Sequence, residues 1–377
     1  MLVICEVLRL KNNVVDFLSK LSGPLYIDSS DGKLVKEIML SPEGDQLRHA
    51  LPQFKPWCAM FPNGICILSD GSITTCCLDT LGENSFANIY EQDIVTTWNL
   101  VIPKILERGL YKLPYCKSCI GNQGLPSLIA ESGDYNTWIN RCSSFPSELI
   151  VEVMSACNYQ CCVAKDLHNY RNAAKLDLQE TFEKIKSFLP HIKRLKLFNY
   201  GEPLLNNDLG QFALNCRNTS KDLILTLATN GLLMNETISK LLIKSQLNQV
   251  VVSVHGGPGT SNMLKYAKTG ANYEQVLSNI ETLLKLRKRS RSQLPKISLR
   301  AILFAWNDTD EIMEQFRQAA KKLGLNATWG NLDTDNYHWI LDEGKGGLAR
   351  SSKVFVPGSA ALQRLIYKKE FFVREFW

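Results

Sequence analysis

The stretch ELIVEVM (148–154) runs almost directly into Cys157-Asn158-Tyr159-Gln160-Cys161-Cys162-Val163-Ala164. The first part reads as a buried strand. Three cysteines stand within six residues at the end of that strand. Merely buried thiols do not cluster this way. The residues beyond this loop set the fold. Amphipathic stretches at 178–189, 209–216, 236–243, 273–286 and 308–323 alternate with short apolar runs at 194–198, 223–228, 249–254 and 297–304. A last short run lies near 327–329, and Asp308 reads as a helix N-cap. Repeated strand–helix alternation implies a parallel sheet with right-handed crossovers. Six such units are too few for a closed eight-fold barrel, so the expectation is an open, partial (β/α)6 barrel. In such sheets the site lies at the C-terminal strand ends, where the Cys157 loop sits.

A chain of 377 residues suffices for two domains. The net charge of +6 is mild, and its densest basic stretch, Lys285 to Arg291, ends a helix and has no interleaved aromatics. It reads as a solvated terminus complementing the helix dipole, which excludes nucleic acid as the expected partner. No apolar run approaches membrane-spanning length, and Met1–Glu6 lacks the basic start of a secretory signal. The expected setting is cytoplasmic. Of twelve cysteines, nine fall in local groups, which points to metal rather than to a disulfide framework.

The second cysteine group lies upstream. Cys58, Cys66, Cys76, Cys77, Cys116 and Cys119 sit in a segment, 51–125, rich in Cys, Gly and Pro. Asp70-Gly71 between two β-rich stretches signals a hairpin. That hairpin would bring Cys58 and Cys76 together, with Cys116 and Cys119 closing the site. Cys77 is the alternate for Cys76, and Cys66 reads as a packed thiol. Four thiolates suit zinc or a fully ligated iron–sulfur cluster, and spacing leaves both open. Residues 1–50 form an N-terminal extension and 331–377 a C-terminal tail without a readable role. Cys216 reads as core, and Cys142 as structural.

Over 147–330 the residues resemble the radical S-adenosylmethionine (SAM) superfamily. Cys157 and Cys161 match the first two thiolates of its CxxxCxxC loop. Asn199-Tyr200-Gly201-Glu202-Pro203 is similar to its GGEP motif, with Tyr200 in place of the first glycine. Ala228-Thr229-Asn230-Gly231 is similar to its TNG loop. Each motif is weak alone; their order after successive strands carries the resemblance. It implies a 4Fe–4S cluster with one open iron, which chelates SAM and cleaves it to a 5′-deoxyadenosyl radical that abstracts hydrogen from substrate. It implies cofactor contacts from Tyr159, Gly201, Glu202, Thr229, Asn230, Ser253 and Arg300, with Glu202 and its backbone facing the methionyl amino group. His255 is the one candidate catalytic side chain. The pattern from Cys58 to Cys119 resembles the SPASM/twitch auxiliary modules of the same superfamily. This implies an auxiliary 4Fe–4S cluster on Cys58, Cys76, Cys116 and Cys119, although such modules usually come after the radical domain.

Ala164 stands where the loop needs its third cysteine. Three readings compete: a cysteine-to-alanine replacement in an active enzyme, a natural degenerate member, and a cluster rearranged onto Cys162. The first is favoured, because drift after loss of function would not have spared Glu202 and the other motifs. The expected activity is a radical SAM oxidoreductase disabled at Ala164, acting on a peptide or protein. A small sugar- or amino-acid-like metabolite is the runner-up, and a non-catalytic Fe–S or SAM-binding protein the third possibility. A reductant such as flavodoxin or ferredoxin is the implied partner.

Overall fold

The computed structural model describes residues 61, 64–77, 79, 81–108, 113–114, 145–161, 173–255, 257–267, 269–303 and 310–331. Their strands form one nine-stranded sheet in the order β3-β2-β1-β4-β5-β6-β7-β8-β9. The strands are β1 (Gly64–Ile67), β2 (Ser72–Thr74), β3 (Ala87–Asn88), β4 (Glu148–Val151), β5 (Arg194–Lys196), β6 (Ile224–Thr229), β7 (Gln249–Ser253), β8 (Lys296–Leu303) and β9 (Asn326–Asn331). From β4 to β9 every neighbouring pair is parallel. The helices are α1 (Ile94–Arg108), α2 (Leu178–Ile185), α3 (Leu209–Thr219), α4 (Glu236–Lys244), α5 (Thr260–Ala267), α6 (Tyr273–Arg289) and α7 (Asp310–Lys322). The architecture is the expected α/β partial barrel, with six parallel strands at its heart.

Local chemistry explains the elements. The β7 centre, Val250 to Val252, is fully buried, as both faces of a covered parallel strand must be. Asp177 caps α2 by accepting from the Gln179 and Glu180 amides, and Asn235 and Asn272 cap α4 and α6 in the same way. Three details depart from the sequence-based expectation. β4 ends at Val151, earlier than the apolar run. α5 intervenes between β7 and α6, where no helix was expected. α1 runs for fifteen residues, with Pro103 inside it, through a segment that shows little helical periodicity. Asp308 lies outside the described residues.

The chain divides into two compact units, Gly64–Thr97 with Ser147–Trp377, and Met1–Asn63 with Trp98–Pro146. Much of the expected cysteine-rich domain, 51–125, lies outside the described residues. In the smaller unit, Phe61 and Trp98 stack with ring centroids 6.4 Å apart and both are buried. In the larger unit, the Asp70-Gly71 turn forms the expected hairpin. Leu68 and Ser72 close it by a backbone bond of 2.8 Å, and Gly71 has φ of 87°. β1 of that hairpin lies parallel against β4, Gly64 opposite Glu148 and Ile67 opposite Val151. The hairpin is thus an extension of the barrel sheet.

A buried ion pair sits at the N-terminal end of the barrel strands. Glu148 on β4 receives Lys196 Nζ of β5 at 2.8 Å and Arg194 Nε at 3.0 Å. Glu148 and Lys196 are almost wholly buried, whereas Arg194 is half exposed. Removing one member of such a pair leaves an uncompensated buried charge. Glu148→Ala should therefore lower stability by about 3–5 kcal/mol, read from the urea midpoint. Arg194→Ala should cost far less, because its guanidinium stays solvated.

Candidate functional site

The site is built from loops after β4, β5 and β6. The Cys157 loop leaves β4 and is stapled at its base. Asn206 Nδ2 donates to the Val153 carbonyl at 2.9 Å and to the Leu176 carbonyl at 3.1 Å. Ser155 and Ala174 exchange backbone and side-chain bonds across the same base. The β5 loop then presses directly onto this segment. Gly201 has φ of +78°, and a Cβ there would meet the Met154 carbonyl oxygen at 2.2 Å and the Ala156 carbonyl oxygen at 2.8 Å. Those obstacles are backbone, so neither can rotate away. Beside it, the Glu202 amide donates to the Ala156 carbonyl at 2.9 Å.

Glu202 joins the second loop to the third. Its carboxylate is buried and accepts from the Leu204 amide at 3.0 Å, the Thr229 hydroxyl at 2.7 Å and the Asn230 amide at 2.8 Å. Burial holds its pKa above the usual carboxylate range, against those three donors. In this structure the Glu202 side chain organises loops, and Thr229 and Asn230 serve it. Asn230 also turns back to the cysteine loop, donating Nδ2 to Asn158 Oδ1 at 2.7 Å, with Cys157 Sγ 4.0 Å away. The third loop is held from behind by a side chain that sequence reasoning missed. Buried Asn279 of α6 donates to the Gly231 and Leu232 carbonyls, each at 2.9 Å. An asparagine on the apolar face of an amphipathic helix was the available signal.

Cys157 is half-buried and receives the Tyr159 amide at 3.4 Å. Burial, with Glu202 nearby, pushes its thiol up to about 11. Tyr159 is buried, and its phenol is held well above the ordinary range by burial and then by the charges of Glu202, Cys161 and Cys157. The loop before α6 covers this segment. A Cβ at Gly270, whose φ is +82°, would lie 2.6 Å from the Asn158 carbonyl oxygen. Farther along the sheet, Ser253 ends β7 opposite Arg300 of β8, and the Arg300 carbonyl accepts the Val254 amide at 2.8 Å. Arg300 is buried. His255 lies where its charge is felt; burial and then Arg300 drive the imidazole down to about 3.

Of the expected site residues, the structure brings Cys157, Tyr159, Gly201, Glu202, Thr229 and Asn230 into one connected set, and groups Ser253, Arg300 and His255 on the neighbouring strands. Cys161 is described and half-buried. Cys162, Ala164, Cys58, Cys116 and Cys119 lie outside the described residues. Cys76 follows β2, with Cys77 buried beside it and Cys66 buried on β1. No group of three or more His, Cys, Asp or Glu side chains able to hold a metal occurs among the described residues.

An α/β partial barrel with a cysteine loop after its first barrel strand, braced by GEP-like and TNG-like loops, defines a class. Residues 151–294 match the model of the radical SAM superfamily. The GTP 3′,8-cyclase of Helicobacter pylori (strain HPAG1) is 28% identical over 176 residues, which are 46% of this chain and 51% of that enzyme. A probable GTP 3′,8-cyclase of Methanococcus aeolicus is 33% identical over 138 residues, 35% of this chain and 44% of that protein. The chain thus spans about half the length of the curated relatives it matches. Among solved structures, Streptococcus suis SuiB bound to its precursor peptide SuiA is similar at TM-score 0.46 and 12% identity, over 82% of this chain and 70% of that one. BtrN in complex with AdoMet and 2-DOIA is similar at TM-score 0.30 and 20% identity, over 41% of this chain and 56% of that one.

Domains of this class use a 4Fe–4S cluster and SAM. The residues fit the two unequally. Two glycines with positive φ, 201 and 270, let backbone pack closely on the segment Met154 to Asn158, and the buried Asn158 Nδ2 has no hydrogen-bond partner among the described residues. Those features suit a polar organic ligand. The cluster requires three thiolates, and the third position of the loop is the methyl group of Ala164. As written, the loop does not fit a site-differentiated cluster.

This geometry has two measurable outcomes. Gly201→Ala should lose at least about 3 kcal/mol, since its Cβ has no room and its φ is unfavourable, and the protein should be recovered largely insoluble or with a much lower Tm. His255 should stay neutral throughout the physiological range. Its folded pKa lies below its unfolded value of 6.5, so its contribution is complete above pH 6.5 and is lost as pH falls from there toward 3. His255→Asn should flatten the acid limb of a stability-against-pH curve, and the histidine's NMR resonances in the parent should not titrate above about pH 5.

Proposed function

We propose that this chain is the scaffold of a radical SAM enzyme acting on a small molecule, with its cluster loop disabled at Ala164. The observation that carries this is the convergence of the β4, β5 and β6 loops on Cys157 through Gly201, Glu202 and Asn230, inside the region of the radical SAM match over 151–294. Glu202 commits its three hydrogen bonds to keeping those loops together. The buried Asn158 Nδ2, which has no hydrogen-bond partner among the described residues, is left to meet the ligand.

The substrate class is drawn from the relatives rather than from the auxiliary module. Both curated relatives bear the name of a cyclase of GTP, a small molecule, and this supports a small-molecule substrate over the peptide first expected. A nucleotide joins the sugar- and amino-acid-like metabolites as the first compounds to test. Binding of a cluster at the auxiliary cysteines, Cys58, Cys76, Cys116 and Cys119, belongs to the same proposal, as does a flavodoxin- or ferredoxin-like reductant. When bound, a complete radical SAM cluster would supply the electron that cleaves the SAM sulfonium. This chain's residues would orient SAM and exclude water.

The test is anaerobic reconstitution of the chain and of its Ala164→Cys form. The Cys form should gain about one 4Fe–4S cluster by iron, sulfide and EPR analysis, and should release 5′-deoxyadenosine on reduction. Equal cluster content and no cleavage in both forms would overturn the proposal.

A further inference from the structure

We propose that Glu152 is a positioning residue through which the N-terminal hairpin holds the cofactor-side loop 199–202 in place; the functional part of this rests on the reading that this loop cradles SAM. Glu152 comes directly after β4 and its carboxylate is fully buried. One oxygen faces the hairpin. Oε1 accepts from the Ser69 hydroxyl at 2.8 Å and from the Ser69 amide at 3.3 Å. The other faces the β5 loop. Oε2 accepts from Asn199 Nδ2 and from the Tyr200 amide, both at 3.3 Å. Ser69 lies in the turn of the β1–β2 hairpin, and β1 is two strands away from β5 in the sheet order.

The arrangement is specific to a carboxylate. These four neighbours are all donors, and two of them are backbone amides that cannot reverse polarity. An amide side chain would turn an N–H toward one pair. An apolar side chain would leave four donors without this acceptor, and burying polar groups unpaired is costly. Packing alone needs none of this, since the flanking Val151 and Val153 are themselves buried apolar groups. The backbone supports the same path. The Glu152 amide donates to the Ile67 carbonyl at 2.8 Å, so Glu152 is fixed to β1 before its side chain reaches either loop. Tyr200 is adjacent to Gly201, which presses on Met154 to Ala156. A disturbance at Ser69 therefore has a bonded route of two links to the loop that shapes the Cys157 segment.

The experiment compares the full chain with its Ser69→Ala, Ser69→Thr and Glu152→Gln variants by hydrogen-exchange mass spectrometry and by SAM titration. Ser69→Ala removes only one hydroxyl on the hairpin side and should fold. Exchange across 199–203 should rise about ten-fold in Ser69→Ala and in Glu152→Gln, the scale of one to two lost buried hydrogen bonds. Ser69→Thr, which keeps the hydroxyl, should restore the parent rate, whereas a packing defect would worsen with the added methyl. SAM affinity should fall by a similar factor in the first two variants and recover in the third. If Ser69→Ala raises exchange only near 68–72 and leaves 199–203 at the parent rate, the proposal is overturned. If the parent itself binds no SAM, the functional reading fails, while the exchange at 199–203 still decides whether Glu152 is the strut.

Discussion

The arrangement of this site depends on a close approach of two backbones. Loop 199–203 can lie on Met154 to Ala156 only because residue 201 has no side chain and adopts a left-handed conformation. From that contact the rest can be traced outward. The Glu202 amide reaches the Ala156 carbonyl, its carboxylate becomes buried, and the buried carboxylate must then find donors. It finds them in Leu204, Thr229 and Asn230, which sets the position of the third loop relative to the second. Asn230 returns to Asn158 and closes the circuit at the cysteine loop.

Such a circuit stores its specificity in buried polar groups rather than in apolar area. Fully paired, a network of this kind specifies one arrangement; partly paired, it is costly. Its electrostatics point one way. Burial disfavours charge on Cys157, Tyr159, Glu202 and His255 alike. The Cys157 thiol and the His255 imidazole are therefore held in their uncharged forms. A thiol near 11 must give up its proton to ligate, so loading of any metal here would release protons and grow stronger as pH rises.

The hairpin changes how the two cysteine groups relate in the chain's organisation. β1 pairs with β4, so the first strand of the hairpin and the strand leading to Cys157 are neighbours running the same way. β2 runs antiparallel to β1, so Cys76, just past β2, leaves the sheet at the end opposite to the one from which the chain runs on to Cys157.

The amino-acid sequence by itself determined the alternation of strands and helices, the parallel character of the sheet, the Asp70-Gly71 turn and the order of the motif loops. These are local properties: hydrophobic period, cap residues and turn chemistry are written within a few neighbours. It also determined that position 164 carries no thiol. Tertiary structure alone decided that the hairpin joins the barrel sheet, that α5 forms between β7 and α6, that Glu202 binds loops, and that Glu152, Asn279 and Asn206 hold the backbone in place. Those outcomes rest on pairings between residues tens of positions apart. A carboxylate or amide reads the same in a sequence whether it faces water or three buried donors, and only packing chooses between them.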